Sequence, residues 1–547
     1  MGGVGKTQLA ADHARRAWRE AQVDLLVWVT AATRQAIVDA YAQAAVDILC
    51  ADPAQPDAAV TQFLAWLEPK PRAEQPRWLI VLDDVADPGD LQGLWPPNHA
   101  QGRIVVTTRR RDAALATHGQ LTPVGLFTQA EAIAYLDQAL APQGRSAPPA
   151  VLAALADDLG LLPLALSQAA AYLADSGLSA AAYRTHLADR ARHLRDLLPE
   201  PRFLPDDQQA TVAAAWSLSL DYADRLRPVG LARPMLQLAS MLDPNGIPRT
   251  VLTSPPALAH LTAHRTTPGG GDDPDVTAEE ASNALTALHR LSLIDHTPQN
   301  PQQAVRVHQL IQRATRDPLT PDQRDELART TGDALMSAWP ETERDTQLAQ
   351  ALRANAAALT ASAEDALHRP DAHTVLYRLG HSLGEAGQAA SAREHFHHLT
   401  DTTTRHLGPD HPDTLATRSN LAYWRGEAGN VDGAARAFAE LLEDELRVLG
   451  PDHPDILATR STLARWRGEA GDVHGAARAL AELLEDRLRV LGPDHPDTLA
   501  TRSDLALLRW KAGDVDGAAR ALAELLEDRL RVLGPDHPYT LTTRNNL

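Results

Sequence analysis

The 547-residue chain contains very little cysteine and few aromatic residues. Cys50 is the only cysteine, which excludes an internal disulfide framework and fits a reducing compartment, so we expect a cytoplasmic protein. No run of about 18 uncharged apolar residues occurs, so the sequence predicts no membrane-spanning helix. No basic stretch followed by an apolar one marks a secretory signal. Because 44% of the residues are hydrophobic, packed cores are expected, and the length predicts several domains.

The chain is short of positive charge, and of lysine above all. Its net charge of −19 argues against non-specific binding to nucleic acid or to anionic membranes, so we expect neither as a partner. Of the 52 basic residues, only Lys6, Lys70 and Lys511 are lysines. This usage, with abundant alanine and arginine, is typical of GC-rich coding and predicts a bacterial source. Because arginine is the default cation here, a lysine in a glycine-rich segment is informative.

The C-terminal third of the chain repeats itself every 42 residues. The segment Leu-Gly-Pro-Asp-His-Pro begins at Leu407, Leu449, Leu491 and Leu533. A fixed period of this length predicts a solenoid of stacked units. Within one unit we predict a helix from about Pro412 to Glu427, capped by Asp410 or Asp413, and a second helix from about Asp432 to Val448.

These units resemble the tetratricopeptide repeat, in the 42-residue form found in kinesin light chains. The resemblance rests on apolar and small residues at matching positions, namely Leu421, Ala422, Gly429, Ala434 and Phe438. Arg418 and Arg425 stand where the first helix usually carries aromatic residues. The resemblance implies a superhelical, all-helical solenoid that binds a protein or peptide. The sequence stops at Leu547, inside the first helix of another unit, so we expect a truncated C-terminus.

Side chains at the predicted concave positions of the solenoid differ from unit to unit. Tyr423, Arg465 and Leu507 occupy one such position in successive units. Variation of this kind favours recognition of a polypeptide over recognition of a repetitive polymer.

Upstream of the repeats, three apolar runs alternate with helical stretches within residues 1–125. The runs are Asp24–Val29, Trp78–Leu82 and Arg103–Thr107. This alternation predicts a parallel sheet covered by helices. Further along, the patterns predict an alanine-rich helical region at 128–196 and a flexible loop at Thr266–Asp275. They also predict a hairpin formed by Leu293–Thr297 and Ala304–His308, and a helical connector at 327–366.

The first nine residues match the end of the phosphate-binding loop G-x-x-x-x-G-K-[ST]. The candidate phosphate-binding residues are Gly2, Gly3, Val4, Gly5, Lys6, Thr7 and Gln8. Backbone N–H groups and the positive end of the following helix would surround the phosphates. Lys6 would reach the β- and γ-phosphates, and Thr7 would ligate Mg²⁺. The motif's first glycine and the strand before it are missing, so we expect truncation at the N-terminus too. A flexible, glycine-rich terminus is the alternative.

Two of the predicted strands end in polar residues. The run Trp78–Val85 contains Asp83 and Asp84, and the run that begins at Arg103 reaches Arg109. Ligands bind at the carboxyl ends of strands in open α/β sheets. Asp83 would hold Mg²⁺ through water, Asp84 would orient or activate the attacking water, and Arg109 would sense the γ-phosphate. Taken alone, the aspartate pair could instead be an acidic turn after a strand, and Arg109 could instead be a surface arginine.

The order of these motifs resembles the NB-ARC family of STAND ATPases, which act as nucleotide switches. Leu159–Ala165 looks like that family's Gly-Leu-Pro-Leu motif with one extra leucine, and Pro163 would pack near the adenine and ribose. Val307–Gln309 aligns with the family's Met-His-Asp motif, so His308 would contact the β-phosphate of bound ADP, while Gln309 replaces the aspartate. The resemblance covers roughly residues 1–320.

The resemblance implies a multidomain chain. Its modules would be an α/β P-loop NTPase sheet that lacks the first strand, a helical ARC subdomain, a winged-helix domain, a helical connector and the tetratricopeptide solenoid. Their expected limits are 1–125, 126–205, 206–325, 326–370 and 371–547. The implied function is a switch between ADP and ATP with Mg²⁺, with slow ATP hydrolysis, a ligand on the repeats and a nucleotide-dependent homo-oligomer.

Two other functions stay open at this point. The chain would be a protein-interaction scaffold if its nucleotide site is degenerate. It would be the regulatory part of a transcriptional regulator if an effector domain lies upstream of Met1. Cys50 has no identifiable partner histidine and is expected to be inert. The histidines that recur in the repeats, at His411, His453, His495 and His537, are expected to support loops, with a metal array as the weaker alternative.

Overall fold

The computed structural model describes residues 4–53, 55–69, 76–108, 110, 115, 117–144, 147–197, 208–266 and 274–547. The chain forms two compact units. The first comprises residues 1–367 and 373–379, and the second comprises 368–372 and 380–547. Gly2, Gly3, Arg109 and most of the predicted flexible loop lie outside the described residues. No helix within the described ranges is long and apolar enough to cross a bilayer.

The first unit begins with a three-stranded parallel sheet. Its strands are β1 Leu25–Thr30, β2 Trp78–Val85 and β3 Gly102–Thr108, in the order β1-β2-β3. The parallel α/β prediction is therefore confirmed, with strand ends within three residues of those expected from the apolar runs. β2 lies in the centre of the sheet, where both of its edges are paired.

Side chains of β2 alternate between two hydrophobic layers. Leu79 and Val81 pack with three alanines of helix α1 (Lys6–Arg19). Trp78, Ile80 and Leu82 pack on the other face, against helices α2 and α3. These helices span Arg34–Leu49 and Pro56–Leu67. A strand that is covered on both faces is apolar along nearly its whole length, so the polar residues at its end stand out.

Helices dominate the rest of the first unit. They are α4 Gln129–Leu140, α5 Pro149–Asp158, α6 Pro163–Ser176, α7 Ala180–Leu197, α8 Gln208–Ala223, α9 Ala232–Ser240, α10 Arg249–Leu252, α11 Pro255–Ala263, α12 Ala278–Arg290, α13 Gln309–Arg316, α14 Pro321–Ala338 and α15 Thr346–Ala363. The predicted hairpin is present between α12 and α13, reduced to β4 Asp295–His296 and β5 Val305–Arg306. The winged-helix assignment of this region stays a prediction.

The second unit is a stack of paired helices. The helices are α16 Thr374–Glu385, whose first six residues belong to the first unit, α17 Ala389–Leu407, α18 Pro412–Glu427, α19 Val431–Leu449, α20 Pro454–Glu469, α21 Val473–Val490, α22 Pro496–Lys511, α23 Val515–Val532 and α24 Pro538–Asn546. The predicted solenoid is confirmed, and the predicted ends of α18 and α19 differ by at most one residue from those observed.

The capping prediction for the repeats was wrong. His411, not Asp410 or Asp413, is the N-cap of α18, and its Nδ1 accepts the N–H of Asp413 at 3.2 Å. The three equivalent histidines cap their helices in the same way. A histidine ring nitrogen thus accepts the backbone N–H two residues later, a capping bond that a side-chain oxygen usually makes. In the described ranges, no three His, Cys, Asp or Glu side chains form a metal cluster.

Glycines allow the repeats to stack closely. The buried indole of Trp466 lies against Gly426 of the preceding unit, and a Cβ built on Gly426 would stand 2.3 Å from that ring. The equivalent residue Gly468 faces a leucine, and its Cβ would lie 3.2 Å from Leu508 Cδ2. The two positions therefore share a helix location but differ in the space available.

A column of buried side chains between the repeats is interrupted at Glu445. The equivalent Arg487 and Arg529 are about 5% exposed, and each donates to a threonine hydroxyl at 2.5 Å and to two backbone carbonyls. Glu445 is 3% exposed. Its Oε2 has no hydrogen-bond partner among the residues that the structure describes. An ionised carboxylate cannot donate to the carbonyls that the arginines satisfy.

Burial raises the pKa of Glu445 to about 7. The hydrogen bond with Thr459 and the charge of Arg418 act in the opposite direction, and the charge of Asp455 raises the pKa further. Glu445 therefore changes its charge near neutral pH inside a packed interface.

Gly426→Ala is expected to lower the free energy of unfolding of the second unit by about 1–3 kcal/mol, because the new methyl group overlaps the Trp466 ring. Gly468→Ala is the control. There the leucine tip can move and alanine favours the helix by about 1 kcal/mol, so little or no loss is expected. Urea denaturation of both variants measures the difference, and equal effects would contradict the proposed packing.

The second unit should lose stability as the pH rises from about 4.5 to about 7, by roughly 3 kcal/mol. In this range Glu445 is ionised in the unfolded chain but still protonated in the folded one, so the folded state binds the extra proton. Hydrogen exchange of α19 at several pH values measures the effect. Glu445→Gln should flatten the pH dependence, whereas Glu443→Gln, which alters an exposed residue of the same helix, should preserve it.

Candidate functional site

Helix α1 begins at the predicted phosphate loop. Gly5, the residue before it, has φ +88°, a left-handed conformation that glycine adopts without strain. No described side chain caps the helix, and its first turn contains no acidic residue. The first backbone N–H groups and the positive end of the helix dipole lie at this end, an arrangement that favours negative charge there. Lys6 is the first helical residue and lies half-buried beside this end.

Asp83 connects this helix end to the sheet. Its Oδ1 accepts the hydroxyl of Thr7 at 3.0 Å, across 76 residues of sequence, and the hydroxyl of Thr107 at 2.5 Å. Asp83 is 4% exposed and Thr107 is 7% exposed. A buried carboxylate needs such donors to remain stable. The end of the predicted phosphate loop and the acidic end of β2 are thus joined by a direct hydrogen bond.

A bulge at the end of β2 separates the two aspartates. Leu82 pairs with Val106 and Val85 pairs with Thr108, so Asp83 and Asp84 together oppose the single residue Thr107. Asp84 has φ +57°, and its N–H donates to the Thr107 hydroxyl at 2.8 Å. The left-handed conformation at Asp84 changes the direction of the chain, and an aspartate tolerates it better than most residues.

Asp84 contacts a distant part of the first unit. Its Oδ2 accepts the side-chain N–H of Gln309 at 3.1 Å, across 225 residues of sequence. Gln309 is the first residue of α13, and His308 is the N-cap of that helix, with its Nδ1 accepting the N–H of Leu310 at 3.1 Å. The predicted Val-His-Gln motif therefore lies beside the predicted acidic pair.

A third carboxylate, Asp243, lies close enough to Asp84 for their charges to interact. Burial is the main cause that raises the pKa of Asp243, and the charge of Asp84 raises it further, whereas hydrogen bonds from Asn245 and the charge of Arg306 lower it. The turn around Asp243 is fixed by Asn355 of α15, whose Oδ1 accepts the Asp243 N–H at 3.0 Å.

Family models match three parts of the chain, in the order of the sheet domain, the region that contains α13, and the helical repeats. Residues 1–140 match the NB-ARC domain, 224–324 match a domain of unknown function (DUF7779), and 371–444, 456–497 and 498–539 match the tetratricopeptide repeat. The chain combines an NB-ARC domain with tetratricopeptide repeats. The NB-ARC resemblance drawn from motif order and the tetratricopeptide resemblance drawn from the 42-residue period are thereby confirmed. The segment between them matches a domain of unknown function.

A curated relative comes from the fungus Hyaloscypha variabilis and is named a nucleotide-binding leucine-rich repeat (NLR)-like protein. It is 27% identical over 455 residues, which cover 76% of this chain but only 42% of the relative. The chain therefore spans less than half the length of that protein.

Two solved structures are similar to parts of this fold. A STAND protein with a tetratricopeptide repeat sensor from Pyrococcus horikoshii aligns with 97% of this chain and 73% of its own, at 12% identity and a TM-score of 0.45. A structure of nearly identical TPR-like repeats from Podosopora anserina aligns with 38% of this chain and 95% of its own, at 21% identity and a TM-score of 0.31.

The other predicted residues of the NB-ARC domain and its neighbour lie as follows. Val4 is buried and Gln8 is exposed on α1. Pro163 is the first residue of α6, and the extra Leu161 before it has φ +55°. Arg109 falls outside the described residues, so its predicted role is untested. Hydrogen bonds thus join Thr7 to Asp83, and Asp83 to Asp84 through the Thr107 hydroxyl.

Sequence reasoning missed two members of this site. Thr107 is the last residue of the predicted third run, but a role was predicted only for the charged Arg109, two residues later. Gln309 was noticed only as a departure from a family motif. A hydroxyl opposite an acidic pair on the neighbouring strand was the available signal for Thr107, because parallel strands align their carboxyl ends. The partner of Gln309 is set by tertiary packing and left no local signal.

A buried charge network ties the NB-ARC domain to helix α15. Arg353 of α15 lies 3.8 Å from Asp39 of α2 and 3.4 Å from Glu343, and all three side chains are at most 11% exposed. Glu343 also accepts from Arg378 at 2.7 Å and from the indole N–H of Trp339 at 2.6 Å. Such a network is costly to disrupt, because removal of one member leaves the others buried without compensation.

Arg353→Met should lower the free energy of unfolding of the first unit by about 3–5 kcal/mol, because Asp39 and Glu343 remain buried beside an apolar side chain. Arg344→Met, at an exposed position of the same connection, is the control and should change stability by less than about 0.5 kcal/mol. Urea denaturation of both proteins checks the prediction. A loss in Arg353→Met no larger than that of the control would show that the network does not stabilise this unit.

Proposed function

We propose that the chain is a nucleotide-dependent signalling switch, in which an NB-ARC domain binds ADP or ATP and the tetratricopeptide repeats bind a protein or peptide. One observation carries the proposal. The open N-terminal end of α1, with Gly5 and Lys6, lies beside the hydrogen-bonded pair Thr7 and Asp83. Two sequence motifs separated by 76 residues thus meet where an anion and a cation would both be stabilised.

The proposed roles follow from the chemistry of each side chain. The backbone N–H groups of residues 2–5 and the ammonium of Lys6 would bind the phosphates, and His308 would contact the β-phosphate. Asp84 would orient or activate water, and Arg109 would sense the γ-phosphate. Pro163 would pack near the adenine. The domain limits given from the sequence belong to this proposal as well.

Thr7 and Asp83 fit a magnesium ion. A hydroxyl and a carboxylate are the hard oxygen ligands that Mg²⁺ prefers, and their hydrogen bond at 3.0 Å holds them together. Mg²⁺ usually takes only one or two protein oxygens and completes its shell with phosphates and water. When bound, the ion would neutralise phosphate charge.

A switch requires ligands with different affinities for two states. ADP would favour the arrangement in which α13 contacts the end of β2. A ligand on the repeats would favour its release, and ATP with Mg²⁺ would favour a homo-oligomer. Slow hydrolysis would return the protein to its ADP-bound state. We place this activity in the cytoplasm.

Lys6→Ala is expected to weaken ADP and ATP binding about tenfold or more, because a charged contact to phosphate is lost. Lys511→Ala, another of the three lysines and exposed in the repeats, is the matched control. Isothermal calorimetry measures the affinities, and nucleotide at 100 times its Kd should stabilise the parent protein by about 2.7 kcal/mol in thermal unfolding.

Equal affinities of Lys6→Ala and the parent protein would refute this binding site. No nucleotide binding by the parent protein would refute the switch itself and would favour a scaffold function for the repeats.

A further inference from the structure

The two adjacent aspartates at the end of β2 have different partners. Oδ1 of Asp83 accepts the hydroxyls of Thr7 and Thr107 on the side of the predicted phosphate loop. Asp84 is turned by its positive φ and accepts the amide of Gln309 at 3.1 Å. One oxygen of the carboxylate proposed to act on water is therefore hydrogen-bonded to a side chain from another segment of the first unit.

Gln309 is held in place by anchors on both sides. Gln312 of the same helix is 3% exposed and donates to the carbonyls of Ala239 and Leu242 at 3.1 and 2.8 Å. Before the helix, the N–H of Val307 donates to the carbonyl of Pro244 at 3.1 Å. Because the backbone of Gln309 is fixed in this way, Asp84 is freed only by rotation of the Gln309 side chain or by departure of α13.

A neutral amide suits the charges that surround it. Asp84 accepts its N–H, and the nearby Asp243 adds a second acidic group to the same region. The family that this motif resembles has aspartate at position 309, and an ionised aspartate has no proton to donate. An acid at this position would instead add a third negative charge, which disfavours docking of α13.

We propose that Gln309 is a positioning residue that covers Asp84 while α13 is docked, and thereby keeps this carboxylate from the attacking water. The inference rests on the proposed function. When Asp84 is uncovered, it accepts a proton from water as the water oxygen bonds to the γ-phosphorus and the bond to the bridging oxygen breaks, which gives ADP and inorganic phosphate. Hydrolysis is then slow because α13 must move first.

The full chain carrying Gln309→Glu tests the proposal, with Gln43→Glu as the matched control. Gln43 donates to Asp47 at 2.8 Å on the exposed face of α2, so the control places an acid beside an aspartate away from the site. A reciprocal variant, Asp84→Asn with Gln309→Glu, restores an amide and a carboxylate with donor and acceptor exchanged.

Two readouts separate the contact from its consequence. The first is hydrogen exchange of residues 310–316 without nucleotide. Gln309→Glu should accelerate it roughly tenfold, the reciprocal variant should restore it, and Gln43→Glu should leave it unchanged. The second is nucleotide turnover. Gln309→Glu should release ADP and hydrolyse ATP in a single turnover roughly tenfold faster, whereas the reciprocal variant should release ADP slowly and not hydrolyse ATP.

Unchanged exchange in Gln309→Glu would overturn the proposal, because the contact then does not hold α13. Faster exchange with unchanged hydrolysis would also overturn it, since Asp84 would not be gated. If the parent protein bound no nucleotide, the proposed function would fail together with the gating step, and the exchange data would still report on the contact.

Discussion

The bulge at the end of β2 is the constraint on which the site depends. A regular strand would place Asp83 and Asp84 on opposite faces of the sheet, one toward each layer of helices. The extra residue and the positive φ at Asp84 keep both carboxylates at the strand end but give them different directions. The Thr107 hydroxyl makes this possible, because it donates to Asp83 and accepts from the Asp84 backbone. One threonine thus fixes the orientation of two acids.

Helix α15 fixes a second part of the first unit through two of its side chains, Asn355 and Arg353. Asn355 accepts from Asp243 and donates to the carbonyl of Gly246 at 2.8 Å, so it fixes the turn on which α13 rests. Two residues earlier on the same helix, Arg353 faces Asp39 of the NB-ARC domain. The helix therefore contacts both the NB-ARC domain and the turn beside α13. A displacement of α15 would therefore disturb both α2 and the turn that supports α13.

The sequence predicted the elements well and their long-range partners poorly. The three strands, the phosphate loop and the repeat helices follow from patterns within a few residues, so apolar runs, glycines and a fixed period were sufficient. Thr107, Gln309 and Arg353 gain their importance from residues 23 to 314 positions away, and no local pattern encodes such a choice. The histidine caps were missed for another reason. Aspartates lie on both sides of His411, His453 and His495, and one precedes His537. Aspartate is the stronger cap by general preference, but the geometry of the turn presents the ring nitrogen instead.

The repeats show how nearly identical local sequences can still give unequal interfaces. In a solenoid each unit contacts only its neighbours, so stability is close to a sum of terms for units and for interfaces. The buried column between units contains Thr403, Glu445, Arg487 and Arg529. Thr403 bonds to the hydroxyl of Thr417, and each arginine donates to three groups. Among the described residues, one polar atom of Glu445 (Oε2) and one of each arginine (Nε) has no hydrogen-bond partner. The helices around these residues begin and end at equivalent positions. This column of side chains therefore distinguishes the interfaces. Burial disfavours the charged form at Glu445, whose pKa it raises, and at Arg487 and Arg529, whose pKa values it lowers, but only the arginines donate to the surrounding carbonyls.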